Sequence, residues 1–504
     1  MVLNRGGKLK FIAAIDQGTT STRCLIFDKK AHIISSAQKE HKQIYPKPGW
    51  VEHDPMEILE NTKDVILHAL DRASLSSDDI LAVGLTNQRE TTVAWNRTTG
   101  VPYYNALVWQ DTRTDQICKE LSDKSYSQLV NGKNGLPIAT YFSGPKIKWL
   151  LENIQAINTD LPKNEVCFGN IDAWLVWNLT GGVDGGQFVT DVTNASRTML
   201  FNLKSLKWDD ELLNIFGLTS DSLPKILPSS TSFGVMAEIL KGVPITGVLG
   251  DQQAALFGQI CFEPGDAKNT YGTGCFMLLN TGTEIVLSNN GLLTTVGYQI
   301  GDNNPSYCLE GSIAVTGALV QWYRDNLGII SSAEEIEDLA RTVHDNGDVY
   351  FIPAFSGLFA PHWDVSARGL IIGLTRYANK GHLARAILEA TAYQTYEILE
   401  AMQKDAQINL NLLKVDGGMV RNELLMQFQA DIIGKEVVRP IVTETTAMGA
   451  AFAAGLHIGY WPSIEDLKRN WQVDKTWKPL MADEKRLNLL QKWEKAISRA
   501  SGWA

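Results

Sequence analysis

Asp251 stands where an apolar run meets a run of small residues, in VLGDQQAALFG, residues 248 to 258. As the N-cap of the helix that the small residues begin, its oxygen would accept from free backbone N–H groups. As a base at the lip of a cleft, it would take a proton while Gln252 holds a hydroxyl beside it. A helix N-terminus favours negative charge, so both roles suit the same carboxylate. Gly250 would let a substrate come close. A second chemical stretch, DQGTTSTR, runs from Asp16 to Arg23. Glycine and threonine make an ordinary hairpin turn. They also make a phosphate cradle, in which N–H groups and hydroxyls donate to oxygens and Asp16 holds magnesium through water. The plan recurs at DAKNTYGTGCFMLLNTG, residues 266 to 282, and the recurrence favours the cradle. In NQRETTVAW, Arg89 and Glu90 adjoin at the end of the apolar strand ILAVGLT. An exposed ion pair is the common fate of such a dipeptide; a donor–acceptor clamp on neighbouring polyol hydroxyls is the functional reading. VWQDTRT adds Trp109, whose ordinary place is a core.

Other patterns carry less. Ser143 and Lys146 have the spacing of a serine–lysine nucleophile pair, but S-D-N and K-T-G companions are absent, and Pro145 reads as the first turn of a helix. VDGGMVRN reads as a strand entering a helix through a tight turn that backbone or ligand can approach. There is no P-loop signature and no H-R-D or D-F-G set. The eight histidines show no metal spacing. Cys24, Cys118, Cys167, Cys261, Cys275 and Cys308 are scattered, which reads as reduced thiols in an intracellular protein.

The elements that must position these groups alternate between strand and helix, as in an α/β protein. KFIAAIDQGTTSTRCLIFD and the stretch from residue 266 are each read as a strand–turn–strand hairpin. Two such hairpins half a chain apart imply two related domains. GHLARAILEATAYQTYEILEAMQKDA is a helix with Leu383, Ile387, Leu388, Ala392 and Tyr396 on one face. The Ala- and Gly-rich TETTAMGAAFAAGLHIGYW is a helix against which something packs closely. With no low-complexity linker, the domains meet at a cleft, where ligand sites usually lie. The 504 residues, 44% hydrophobic, suffice for more than one core. A net charge of −10 argues against nucleic-acid binding. The basic start MVLNRGGKLK is too short for a signal peptide, no stretch is long enough for a membrane span, and the sequons at Asn96, Asn178 and Asn194 are not expected to carry sugar.

IDQGTTSTR, PGWVEHDP, TNQRETT, YNALVWQDTR, TYFSGPKIKWLLEN, TDVTNASRTML, GDQQAALFGQ, KNTYGTGCFML, PAFSGLFAP, WDVSARG and DGGMVRN together resemble the glycerol-phosphorylating members of the FGGY carbohydrate-kinase family, from about residue 11 to about residue 460. GLIIGLTRYANKGHLARAILE fits that family's second signature. The resemblance implies two duplicated α/β domains of the actin-like ATPase (ribonuclease H-like) fold, residues 1–258 and 259–504, with ATP and polyol meeting in the cleft. It implies that Arg89 and Glu90 bond glycerol, that Tyr141 and Gln252 assist, and that Trp109 and Phe276 pack on the carbon chain. Asp251 would be the general base and Asp16 would organise Mg2+. Thr19, Thr20, Ser21, Arg23 and Thr273 would meet the ATP phosphates, with Gly317, Gln321, Gly418 and Asn422 on the nucleotide. A cytoplasmic homodimer or homotetramer is implied by the same analogy.

Two regulatory features of bacterial relatives are not expected. The segment SFGVMAEILKGVPITG has one basic residue, Lys241, where some relatives bind fructose 1,6-bisphosphate through a Gly- and Arg-rich loop. No histidine lies between residues 69 and 343, where others are activated by phosphorylation. The alternatives are a kinase for a larger sugar such as xylulose or gluconate, a nucleotide-driven conformational protein like actin, and a silent scaffold. The GDQQ and NQRE groups have no evident use in an actin-like machine, and an intact Asp251 counts against a scaffold.

Overall fold

The computed structural model describes residues 9–504; the start of the basic N-terminal stretch, residues 1–8, lies outside them. The N-terminal sheet contains β1 (Phe11–Gln17), β2 (Ser21–Phe27), β3 (Ile33–Glu40), β4 (Ile80–Asn87), β5 (Ser230–Val235) and β6 (Pro244–Gly250). Their order across the sheet is β5-β6-β4-β1-β2-β3. The C-terminal sheet contains β7 (Ala267–Tyr271), β8 (Cys275–Gly282), β9 (Leu293–Tyr298), β10 (Ser306–Ile313), β11 (Leu413–Asp416), β12 (Val437–Pro440) and β13 (Val473–Trp477), in the order β9-β10-β8-β7-β11-β12-β13.

The two sheets follow one plan. In each, an antiparallel hairpin (β1–β2, β7–β8) is extended by an antiparallel strand (β3, β10). On its other side come two parallel strands (β4 and β6, β11 and β12) and an antiparallel edge (β5, β13). Strand β9 is an addition on the outside of β10. Every residue of β1 is buried, as a central strand covered on both faces requires. Both expected hairpins are therefore present, within a duplicated architecture.

Seven helices position the site: α1 (Pro55–Arg72), α2 (Ser143–Asn153), α3 (Asp251–Gly258), α4 (Gly317–Asp325), α5 (Lys380–Ala406), α6 (Glu423–Ile433) and α7 (Thr445–His457). The first half also carries a four-stranded sheet made of Glu52–His53, Ala106–Leu107, Thr92–Asn96 and Val166–Asn170. Helix α5 buries Ile387, Leu388 and Ala392 as its pattern predicts, with Leu383 and Tyr396 half-buried against the same core. The small-residue helix α7 crosses to the other half, where it packs on β4, β6 and β1 and alongside α3. A glycine on each helix makes the approach to α3 possible. A Cβ at Gly449 would fall 1.8 Å from the Ala254 carbonyl oxygen, and one at Gly258 would fall 2.0 Å from that of Thr445. One core therefore joins the halves, with Ile12, Leu249 and Ala254 beside Leu278, Ala450 and Phe452.

Candidate active site

Asp251 is the first residue of α3, and Gly250 is its N-cap. The expected N-cap role for Asp251 is thus corrected by one position, although its Oδ1 still accepts from the Gln252 N–H at 2.7 Å. The role expected of Gly250 changes too. A Cβ there would lie 2.7 Å from the Arg89 Cγ and Cδ, so the glycine makes room for the arginine stem. That stem carries Arg89 Nε to 3.0 Å from Asp251 Oδ1. The arginine side chain is 2% exposed and the aspartate 30%, so the pair presents its carboxylate to the cleft.

Arg89 and Glu90 lie in the bend that follows β4 rather than on the strand itself. Glu90 has φ 61°, a conformation costing a non-glycine residue on the order of 1–3 kcal/mol and concentrated at working sites. Its carbonyl is pinned there by hydroxyls from Thr92 (3.0 Å) and Ser143 (3.2 Å). Arg89 is already heavily bonded. Its Nη1 and Nη2 donate to the two oxygens of Glu310 at 2.6 and 2.9 Å, and Nη1 also donates to Gln253 Oε1 at 3.1 Å. Of its five N–H groups, one on Nη2 is left for a ligand.

Glu310 comes from β10 of the other half, and a second arginine completes the cluster. Arg197 Nε donates to Glu90 Oε1 at 2.6 Å and its Nη2 to Glu310 Oε1 at 3.2 Å. Burial alone would raise the Glu310 carboxyl; the Arg197 and Arg89 guanidinium groups outweigh it and hold that carboxyl at about 2. Burial pushes the Glu90 carboxyl up, against the pull of Arg197 and Arg89. Neither Glu310 nor Arg197 was among the residues that the sequence singled out. The signal was a charge inside a buried strand, SYCLEGSI, because a buried carboxylate must have a partner. Its partners are remote in sequence and carry no local mark.

Trp109, Tyr141 and Phe276 form an aromatic cup from both halves. The Trp109 ring stands edge-on to Tyr141 with centroids 5.6 Å apart, and to Phe276 at 6.4 Å. All three are half-buried rather than core residues. Trp109 Nε1 donates to Thr19 Oγ1 at 2.9 Å, which ties the cup to the first hairpin turn. Lys146 is the anchor beneath Tyr141. Its ammonium donates to the carbonyls of Thr140 and Tyr141 at 2.7 Å and of Phe142 at 3.2 Å, and burial lowers it to about 8. Ser143 accepts from Asn170, so the serine–lysine spacing serves structure, and Pro145 does stand in the first turn of α2.

The hairpin turns face this cluster from two sides. Asp16 on β1 sits directly opposite Arg23 on β2, with Arg23 Nε 3.9 Å from its Oδ2. Burial raises the Asp16 carboxyl to about 6, Arg23 pulls it down, and the charges of Asp251 and Glu444 push it further up. A buried carboxylate in need of a second cation suits magnesium, which takes one or two carboxylates plus substrate phosphates. Among the described residues no three His, Cys, Asp or Glu gather as a metal cage. Thr20 is exposed at the turn and Thr19 half-exposed. Ser21 is buried with its hydroxyl accepting from Gln38 at 3.0 Å. Arg23 Nη1 donates to Glu444 at 2.6 Å, across to the other half.

The second turn, Gly272 to Gly274, rests on the start of α4. Gly317 N donates to the Gly272 carbonyl at 3.1 Å and Ala318 N to that of Thr273 at 3.0 Å. Thr273 remains exposed at its tip. A Cβ at Gly317 would fall 2.4 Å from Gly272 O, and one at Gly417, where φ is +92°, would fall 2.4 Å from Tyr271 O. Gly418 is the open position, exposed and with nothing within 4 Å of an added Cβ. These glycines make a shallow backbone cradle that fits a nucleotide. Asn422 caps α6, accepting from Leu425 N at 2.9 Å, and Gln321 is exposed on α4. Asp251, Arg89, Glu90, Gln252, Tyr141, Trp109 and Phe276 therefore gather at the cleft; the side chains of Ser21, Arg23 and Asn422 are each already engaged with protein.

The chain is similar to known proteins over nearly its whole length. The FGGY family of carbohydrate kinases matches in both parts, its N-terminal domain over residues 11–258 and its C-terminal domain over residues 267–458. A glycerol kinase of Chloroflexus aurantiacus is 61% identical over 494 residues, 98% of this chain and 99% of its own length. One from Saccharopolyspora erythraea is 60% identical over 495 residues, with the same coverage. The crystal structure of Plasmodium falciparum glycerol kinase with ADP is 38% identical, with a TM-score of 0.93 over 98% of both chains. Gluconate kinase from Lactobacillus acidophilus, 22% identical with a TM-score of 0.86 over 98% of this chain and 97% of its own, shares the fold.

Proposed function

Because the chain belongs to the FGGY family of carbohydrate kinases, we propose that it transfers the γ-phosphoryl group of ATP to glycerol, giving sn-glycerol 3-phosphate and ADP. The observation that carries this reading is the partly exposed Asp251 carboxylate, held by Arg89 Nε at 3.0 Å and presented to a cleft with a Gly-Thr hairpin from each half. Phosphoryl transfer asks mainly for positioning and charge neutralisation. Trp109, Tyr141 and Phe276 wall the carbon chain, while Glu90, Gln252 and the spare N–H of Arg89 address the hydroxyls. Asp251 takes the proton of the attacking hydroxyl; the new oxygen–phosphorus bond forms as the bridge to the β-phosphate breaks. Bound Mg2+, organised by Asp16, would neutralise phosphate charge. Thr19, Thr20 and Thr273 donate to phosphate oxygens, and Gly317, Gln321, Gly418 and Asn422 face the nucleotide. Ser21 and Arg23 would reach the phosphates only after giving up Gln38 and Glu444.

Residues 1–258 and 259–504 are taken as the two lobes. A homodimer or homotetramer and a cytoplasmic location complete the proposal, by analogy with the family. No helix among the described residues is long and apolar enough to cross a membrane. The test is ATP turnover with a panel of polyols and sugars. Glycerol is expected to be the preferred acceptor; stimulation by a pentulose or gluconate but not by glycerol would overturn the reading.

A further inference from the structure

Lys268 is wholly buried on β7, one of the few ammonium groups so placed, and it opens the motif KNTYGTGCFML without a role in the mechanism above. Its Nζ donates to Gln252 Oε1, to Thr270 Oγ1 at 3.0 Å and to the Phe276 carbonyl at 3.2 Å. An ammonium has three hydrogens and no acceptor, so these partners use it fully. Burial lowers its proton affinity, while the charges of Asp416, Glu310 and Asp251 support the protonated form and Arg89 opposes it. The consequence falls on Gln252. A side-chain amide can ordinarily turn either end to a ligand, but an ammonium can bond only its oxygen. The amide oxygen is therefore fixed inward, and the NH2 group is the end left for the cleft, beside the Asp251 carboxylate.

We propose that Lys268 is a positioning residue that locks Gln252 as a pure hydrogen-bond donor toward the acceptor substrate, so that neighbouring side chains offer one donor and one acceptor to the same hydroxyl. This rests on the glycerol-kinase reading. The hydroxyl oxygen accepts from Gln252 Nε2–H, which leaves its proton directed at Asp251 and steadies the negative charge that develops as that proton departs. The bonds to Thr270 Oγ1 and the Phe276 carbonyl hold the ammonium in place for that task. Glu310 lies in the same row of the sheet, two strands across, since Leu278 pairs with both Lys268 and Glu310. The two buried charges fix opposite ends of the acceptor site: Lys268 sets Gln252, and Glu310 sets Arg89.

The experiment is a double-mutant cycle on the full chain with Lys268→Met and Gln252→Leu, reading the KM for glycerol, the KM for ATP and kcat. Wild-type turnover of glycerol is measured first and bears on the activity alone. With that in hand, each single variant is expected to raise the glycerol KM roughly five- to tenfold, the size of one hydrogen bond lost. The ATP KM should hold within about twofold, the scatter expected when no contact is lost. The double variant should be no worse than Gln252→Leu, because Lys268 acts through that amide. Equal and independent losses, or a glycerol KM untouched by Lys268→Met, overturn the proposal. Should Lys268→Met fail to fold, Gln252→Glu decides. It keeps an oxygen on Lys268 and turns a second oxygen, now an acceptor, to the cleft. A raised glycerol KM in that folded variant supports the donor role, and a wild-type KM overturns it.

Discussion

At the scale of single residues, the site separates the group that reacts from the groups that hold it. Asp251→Asn keeps the size of the side chain and a bond to Arg89 while removing the base. It is expected to lower kcat by roughly 10²- to 10⁴-fold, with glycerol still bound, as steady-state kinetics and calorimetry would show. Near-full activity would make Asp251 a structural residue at the start of α3. Asp16 gives a prediction in pH. Its carboxyl, raised to about 6 chiefly by burial, is protonated below that pH and then no longer suits a cation. The apparent affinity for Mg2+ in the ATP reaction should therefore weaken as pH falls through about 6. Asp16→Asn should show weak affinity at both pH values, keeping only the pH dependence that the terminal phosphate of ATP itself brings. A magnesium titration at pH 5 and pH 7.5 measures both.

At the scale of elements, the helix pair α3–α7 decides where Asp251 stands. Gly449 and Gly258 let the two backbones touch, and any side chain on Gly449 must push α3 aside. Gly449→Ala is expected to cost about 1–3 kcal/mol in urea unfolding. It should also lower kcat, since the displaced helix begins with the base. Gly132→Ala serves as the control, because nothing lies within 4 Å of its added Cβ; it should be neutral or slightly stabilising. This pair also shows what the sequence could and could not tell. The glycines and alanines of TTAMGAAFAAGLH announced a close neighbour, and the Gly-Thr turns announced both hairpins, because those signals are local. That α7 packs across onto the opposite half is a tertiary fact with no local mark. The same holds for the site. Arg89, Glu90 and Asp251 were legible as chemistry in their motifs. Arg197 and Glu310 were not, since each gains its meaning from residues far along the chain; nor was Lys268, whose nearer partners Gln252, Thr270 and Phe276 meet it only once β7 pairs with β8 beside α3.

At the scale of the whole molecule, buried charges set stability against activity in pH. Burial raises the carboxyls of Asp172 and Glu389 to about 7, and that of Asp16 to about 6. A carboxyl raised in the folded state binds its proton more tightly there, so stability grows as pH falls through that value toward the ordinary range near 4. Glu310 has the opposite sign: held at about 2 by Arg197 and Arg89 despite burial, it stabilises the fold above its ordinary value of 4.5. That contribution is lost as pH falls from 4.5 toward 2. These carboxyls should therefore raise the urea midpoint from pH 8 to a maximum near pH 5, against the pull of His53, whose imidazole burial holds at about 3 and which costs stability as pH falls below 6.5. The midpoint should then fall on further acidification. Glu310 holds arginines of the opposite half, so its protonation should loosen the lobes and the acceptor site together. Glu310→Ala, which leaves two buried guanidinium groups short of a partner, should cost about 3–5 kcal/mol at neutral pH and flatten the acid-side fall. Activity should follow another course, declining below about pH 6 with the protonation of Asp16, so that near pH 5 the protein is at its most stable and already losing turnover. A urea midpoint that falls steadily from pH 7 to pH 5 would show that these buried carboxyls do not govern the pH response.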